Sequence, residues 1–371
     1  FVACNGPSFI YNSLTNVFQQ ITAPAFPGAV TVAYLDGYFV FNEPNSQKIW
    51  ITALFEGTLV DATEFASAEG SPDGVVGLIA DHAQLWVYGT NSIEVWYNSG
   101  NADFPFSRIQ GGFNELGCAA AYSIAKMDNG LFWLGKDARG QGMVYRANGY
   151  SGQRISTHAI EWHIQQYGDL SDAIGYTYQQ DGHSFYVLIF PTADTTWVYD
   201  VATQAWHERA GFANGAFTRH RSNCQVFFGT KVMVGDYQNA NIYSFDLDDY
   251  SDNGQIQKWL RSWRALPTGQ NNLKRTAQHS LQLDCESGTG LNLGQGSDPQ
   301  VMLRWSDDGG HTWSNEHWIS IGKIGEYYRR AIWRRLGMTM KLRDRVYEVS
   351  GTDPVKIAIM GAELMLSPTN A

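Results

Sequence analysis

The sequence predicts an all-β protein. A β-propeller spans residues 1–258, with about six blade repeats of which the first is incomplete, and a C-terminal β-sandwich spans residues 259–371. Three observations carry this reading. A β-branched residue followed by Tyr or Trp recurs six times in the first part of the chain. A short apolar run and a polar turn precede each pair. Beyond Lys258 both the periodicity and the charge balance change.

The pairs are Ile10-Tyr11, Ile49-Trp50, Val95-Trp96, Val144-Tyr145, Val198-Tyr199 and Ile242-Tyr243, with aromatics 39 to 54 residues apart. The runs before them are Phe1 to Ala3, Tyr38 to Phe41, Leu85 to Tyr88, Leu131 to Leu134, Phe185 to Phe190 and Val232 to Val234. Intervening turns such as Glu43-Pro44-Asn45-Ser46 and Gly89-Thr90-Asn91-Ser92 complete a hairpin signature. One small sheet alone would expose apolar faces and unpaired edges, whereas blades stacked face to face bury them. A β-sandwich with similar hairpins is the alternative. Phe1 falls inside a hairpin and no initiator Met is present, so we expect an N-terminal segment to have supplied further strands of the first blade. The one helix expected is short, near Ile160 to Tyr167.

In the second part, Trp259 to Gln270 reads as a linker-like crossing. Strands are expected at His279 to Cys285, Val301 to Trp305, Trp318 to Ile321, Arg330 to Arg335 and Lys356 to Leu366. Met338, Met340 and Leu342 alternate with Thr339, Lys341 and Arg343, which predicts another.

With 44% hydrophobic and only 17% charged residues, the composition excludes a disordered chain. The longest apolar run, about Phe185 to Phe190, is far short of the roughly 18 residues of a membrane span. Cys4, Cys118, Cys224 and Cys285 are widely spaced and read as reduced, buried thiols of a protein folded in a cytoplasm. The net charge of −10 divides unevenly: 12 Lys and Arg face 25 Asp and Glu up to Lys258, but 14 face 11 from Trp259 onward.

Catalytic motifs are sparse. Ser306-Asp307-Asp308-Gly309-Gly310-His311-Thr312-Trp313 fits the Asp-box pattern of sialidases and other β-proteins. Its expected role is a structural hairpin turn over Ser306, Asp308, Gly310, Thr312 and Trp313, with Asp308 accepting backbone N–H bonds, Gly310 at positive φ and Trp313 packed beneath. His158 and His163 are one residue too far apart for a zinc helix pattern. Asp248-Asp249 and Asp307-Asp308 sit in turns, and neither a phosphate loop nor a serine elbow is present. We therefore expect no catalytic, cofactor-binding or metal-binding residues.

The unusual charge feature is Lys323, Arg329, Arg330, Arg334, Arg335, Lys341, Arg343 and Arg345, interrupted only by Glu326 and Asp344. Tyr327, Tyr328, Trp333 and Tyr347 interleave with them. Three readings compete: a solvated strand face, a surface that docks on acidic protein, and phosphate contact. An acidic chain is a poor dedicated DNA binder.

Ser71-Pro72-Asp73-Gly74-Val75-Val76-Gly77, the strand to Tyr88 and Thr90-Asn91-Ser92-Ile93-Glu94 resemble a known family. So do Tyr328-Arg329-Arg330-Ala331-Ile332-Trp333-Arg334-Arg335-Leu336-Gly337 and the hairpin ahead of them. The family is the packaged-DNA stabilisation proteins of short-tailed lambdoid-type phages, the tail hub or nozzle components. The resemblance implies a virion tail protein without enzymatic activity, made in the host cytoplasm. Copies would form a homo-oligomeric ring, expected to be a hexamer, below the portal and its adaptor protein. The ring would close the head, retain packaged DNA and form part of the ejection conduit, with a tail needle or plug and tailspikes as neighbours. Genomic DNA would pass without sequence-specific contacts, and the chain would not insert into a membrane. Arg329, Arg330, Arg334, Arg335, Lys341, Arg343 and Arg345 are then expected to contact a neighbouring subunit or the adaptor. The alternatives are a glycan-active, sialidase-like propeller enzyme and a carbohydrate-binding module.

Overall fold

The computed structural model describes residues 1–137, 139–264, 275–340 and 345–369. They form two compact units, Phe1–Ala210 with Thr218–Phe245, and Gly211–Phe217 with Asp246–Ala371. The first unit is a propeller of six antiparallel blades. Blade 1 has strands Val2–Ala3, Ser8–Asn12 and Val17–Gln20. Blade 2 has Val32–Leu35, Tyr38–Asn42, Lys48–Ile51 and Phe65–Ser67; blade 3 has Val75–Asp81, Gln84–Gly89, Ile93–Asn98 and Phe106–Asn114. Blade 4 has Ala125–Met127, Gly130–Lys136, Gly142–Asn148 and Ser151–Arg154; blade 5 has Ile174–Gln180, His183–Phe190, Thr195–Asp200 and Ala205–Glu208. Blade 6 has Ser222–Phe228, Lys231–Asp236 and Ile242–Ser244.

The repeated dipeptide explains the stacking. In blades 2 to 5 it lies on the third strand, where successive side chains point to opposite faces. Its β-branched member faces the next blade: Ile49 joins the core between blades 2 and 3, Val95 that between 3 and 4, Val144 that between 4 and 5, and Val198 that between 5 and 6. Its aromatic member faces the blade before. Trp50 packs with Phe1 and Ala3, Trp96 with Val40, Tyr145 with Trp86, and Tyr199 with Phe132. The second strands alternate likewise: Leu85 and Val87 go one way, Trp86 and Tyr88 the other. Each such fully buried side chain contributes about 1.5–3 kcal/mol.

The same register locates the gaps. In blade 1 the dipeptide Ile10-Tyr11 lies on the second of three described strands, and blade 6 likewise has three described strands. Two-residue turns with positive φ at both positions join the first two strands of blades 2 to 5: Asp36-Gly37, His82-Ala83, Asp128-Asn129 and Asp181-Gly182. Such turns match the twist of a hairpin. Polar side chains tie blades together. Asn42 donates to the Val75 carbonyl at 3.1 Å, the Tyr186 hydroxyl to the Ser123 carbonyl at 2.7 Å, and Tyr176 and Ser222 share a bond of 2.6 Å. The helix is His158–Gln165, capped by Thr157 and packed through Ile160 and Ile164.

The second unit contains a β-sandwich. One sheet has the order Trp259–Arg264, Val346–Gly351, Gln300–Ser306, His317–Ser320; the other has Ala331–Arg334, Thr276–Cys285, Ile359–Pro368. Leu281, Leu283, Val301, Leu303, Trp333, Tyr347 and Val349 form its core.

Three expectations need correction. Trp259–Arg264, read as part of a crossing, is an edge strand paired with Val346–Gly351. No strand runs through Met338 to Met340: Met338 makes only an isolated bridge to Ala277, and Lys341 to Arg343 lie outside the described residues. Of the four thiols, Cys118 is buried and Cys285 half-buried, but Cys4 and Cys224 are exposed on the two terminal blades.

Candidate interaction surface

The basic stretch lies where the two sheets of the sandwich meet at an edge. His317–Ser320 ends one sheet and Ala331–Arg334 ends the other. Trp333, inside, donates its indole N–H to the His317 carbonyl at 2.9 Å, tying the edges together. The connection between these strands is compact. Gly322 has φ +107°, and a Cβ there would stand 2.8 Å from the Glu326 carbonyl oxygen. The Glu326 N–H donates to the Lys323 carbonyl at 2.9 Å, and the Lys323 N–H to the Glu326 carboxylate at 3.1 Å. The Ser287 hydroxyl donates to the Tyr327 carbonyl at 2.9 Å.

With its backbone bonded inward, this loop turns its side chains outward. Lys323, Arg329, Arg330, Arg334 and Arg335 are exposed, and Tyr328 is 98% exposed. Among the described residues Arg329, Arg330, Arg334 and Arg335 have no ion-pair partner. Exposed Tyr327 and Trp318 stand on the same loop and its leading strand. Arg, Tyr and Trp are the side chains that anchor protein interfaces. Trp318 was missed as a surface residue; its signal was alternation with Ile319, which packs inward.

Arg345 is different and leaves the candidate surface. It is 2% exposed and pairs bidentately with Asp307, at 2.6 and 2.7 Å. It also donates to the Leu336 and Met338 carbonyls, at 2.7 and 3.3 Å. Its guanidinium is consumed within the fold. The same holds for the aromatics Trp333 and Tyr347, both core residues. Lys341 and Arg343 lie outside the described residues.

Asp307 belongs to the Asp-box hairpin, which therefore connects to Arg345. Asp308 accepts from the Ser306 hydroxyl at 2.6 Å, the Thr312 N–H at 2.8 Å and the Thr312 hydroxyl at 2.6 Å. These bonds, the one from Ser306 foremost, hold its carboxyl well below the usual carboxylate range. Gly310 takes φ +105° and donates to the Ser306 oxygen at 2.9 Å. The Arg304 guanidinium stacks over Trp313 at 4.6 Å. The bonds of Ser306, Asp308, Gly310 and Thr312 serve the turn, while the Asp307 carboxylate serves Arg345.

Other candidate chemistry is similarly occupied. His158 is exposed on the helix, while Glu161 is buried against Arg154 and Ser156. Asp249 accepts from the N–H and hydroxyl of Ser251. Among the described residues no group of three His, Cys, Asp or Glu is placed to hold a metal ion. No described helix is long and apolar enough to cross a membrane.

Comparison with known proteins follows the division of the chain. Residues 1–250 match the family described as bacteriophage P22 Gp10, β-propeller, and residues 258–367 match bacteriophage P22 Gp10, β-sandwich. No curated protein matches the chain. Among solved structures, dihydro-heme d1 dehydrogenase NirN is 12% identical with a TM-score of 0.43, over 67% of this chain and 51% of that one. This chain thus spans about half of NirN. An exo-β-1,3-galactanase from Phanerochaete chrysosporium is 9% identical with a TM-score of 0.29, over 97% of this chain and 81% of that one. Six stacked blades followed by a sandwich, matched along both parts by one family, place the chain in the bacteriophage P22 Gp10 family, the packaged-DNA stabilisation proteins of podophage tails.

Proposed function

We propose that this structural phage tail protein forms a ring, a hexamer, below the portal and its adaptor. There it closes the filled head, retains the DNA and later forms part of the ejection conduit. It works by assembly and not by turnover of a substrate. Besides the family, one observation supports this reading: exposed Arg329, Arg330, Arg334 and Arg335, near Tyr327 and Tyr328, have no ion-pair partner among the described residues. Unpaired cations on a tied-down loop suit a contact with an acidic neighbour, either the adaptor or the −13 balance of residues 1–258 in the next subunit. Lys341 and Arg343 belong to the same proposed set, whereas Arg345 does not. An acidic lumen would let DNA slide, because strong phosphate contacts would hold it.

The test is a variant carrying Arg329→Glu, Arg330→Glu, Arg334→Glu and Arg335→Glu. Heads should fill but fail to join functional tails and lose their DNA, while circular dichroism and melting of the purified chain stay as in the wild type. Virions that retain DNA and infect normally would overturn the assignment. Release of sugars from bacterial surface polysaccharide by the purified chain would favour a glycan-active enzyme instead.

A further inference from the structure

The basic loop of the sandwich has a counterpart at the opposite edge of the same unit. His317–Ser320 and Ala331–Arg334, which flank the loop, end the two sheets on one side; Trp259–Arg264 and Ile359–Pro368 end them on the other. Trp259 and Ile359, at the starts of these last two strands, line a hollow of about 540 Å³ together with Val355 and Ile357. A second hollow of about 500 Å³ shares Tyr250, Val355 and Lys356 with the first and adds Leu291, so the two form one groove. Leu247, 54% exposed, stands at its wall. Apolar hollows of this size accept a bound group.

Carboxylates rim the groove. Asp246, Asp248 and Asp249 line it and are exposed. Asp246 accepts the Asp248 N–H at 3.0 Å and Asp249 the Ser251 N–H at 2.9 Å, each through one oxygen. Among the described residues the other oxygen of each, and both of Asp248, accept no hydrogen bond, and none of the three has an ion pair. The two cations that line the groove are engaged: Lys356 pairs with Glu286 at 3.1 Å, and Arg261 donates to the Leu260 carbonyl at 2.9 Å. The groove therefore offers an apolar floor and an uncompensated acidic rim.

The loop at the far edge is its complement. Tyr327 and Tyr328 are 70% and 98% exposed, and the unpaired Arg329 and Arg330 follow them. We propose that residues 327–330 of one copy dock in this groove of a second copy, tyrosines on the apolar floor and arginines on Asp246, Asp248 and Asp249. The occupant follows from charge: a basic loop repels another basic loop, so the edge does not pair with itself, but the acidic groove of the next copy accepts it. Two unlike surfaces on opposite edges of one unit are what a head-to-tail contact requires. Guanidinium–carboxylate pairs and buried tyrosines are strong anchors of such contacts. This interface deepens the ring reading above and rests on it.

The experiment complements tail-less heads with the purified chain. The loop variant carries Arg329→Glu and Arg330→Glu, and the groove variant Asp248→Arg and Asp249→Arg. Each alone should lose DNA retention and infectivity, with a circular dichroism spectrum like that of the wild type. A chain carrying all four changes should regain both, as should an equal mixture of the two variants, because each reversed loop then meets a reversed groove. Independently, Tyr328→Cys with Leu247→Cys, oxidised in assembled tails, should give a covalent ladder of chains that neither single variant gives. A groove variant that infects normally, a loop variant that the groove changes do not rescue, or absence of the ladder would overturn this interface. Each would leave the ring reading standing, with the adaptor as the arginines' partner. A loop variant that joins heads and infects normally would overturn both.

Discussion

Removing the Asp307 carboxylate tests whether Arg345 is a structural residue or a contact residue. In Asp307→Ala the guanidinium of Arg345 stays inside the sandwich and loses two hydrogen bonds, of 2.6 and 2.7 Å, together with its countercharge. Breaking a buried pair by deleting one partner costs about 3–5 kcal/mol, chiefly because the remaining charge is uncompensated. The carbonyls of Leu336 and Met338 still receive the guanidinium, and Asp307 itself is partly exposed, so the lower end applies. We expect a loss of about 3 kcal/mol, a fall in melting temperature of roughly 10 °C or more for a domain of this size. Urea unfolding followed by tryptophan fluorescence reads it through Trp305, which lies beneath Arg345 at 5.6 Å. The double variant Asp307→Ala with Arg345→Met removes both charges and should recover part of the loss, because the lone buried charge causes most of it. Arg330→Ala, by contrast, should change stability by no more than about 0.5 kcal/mol. A cost below about 1 kcal/mol for Asp307→Ala, or a double variant worse than the sum of the singles, would refute the reasoning.

Gly117→Ala should destabilise the propeller by about 3 kcal/mol or more, since its Cβ would fall against the Thr90 carbonyl oxygen, a backbone atom that cannot swing away; thermal melting measures this. Ala83→Gly should stabilise it by about 1 kcal/mol, because Ala83 holds φ +58° in a two-residue turn where glycine carries no steric penalty; urea midpoints at unchanged slope would show the gain. Burial, aided by Arg209 and Arg221, pushes the His220 imidazole down to about 3. The unfolded chain therefore binds a proton below about pH 6.5 that the folded chain refuses, and stability falls as pH drops through that window. Because the ring keeps some solvent contact, we expect a loss of about 1–2 kcal/mol between pH 7 and pH 5, and a flatter profile in His220→Gln.

How much was legible in the sequence depended on whether a residue's neighbour was also near in register. The pair Val95-Trp96 announced its blade because each side chain enters a different core, so both faces of the strand must be apolar. Trp259–Arg264 was misread because it is an edge strand: Trp259 and Trp263 pack on the core while Arg261 and Arg264 blunt the open edge, which leaves little alternation to see. The sign of Arg345 was legible and its partner was not, since Asp307 meets it only once strands Gln300–Ser306 and Val346–Gly351 are side by side. Cys4 and Cys224 read as buried because the stretches around them are as apolar as other strands, and local composition does not report exposure.

Polar groups of the propeller are engaged within the fold. Several of its carboxylates fix geometry. Asp73 accepts from the N–H groups of Asn91 and Ser92, Glu94 from the Trp96 indole and the Gly70 N–H, and Asp200 from Thr203 and the Ala202 N–H. Each closes a turn or fixes one element against another, with its oxygens occupied as acceptors. Two other kinds of exposed group stand out: cations and tyrosines on a loop whose backbone is bonded inward, and apolar side chains on the first and last described blades. Groups of both kinds gain free energy when another surface removes them from water, arginines most where that surface offers carboxylates.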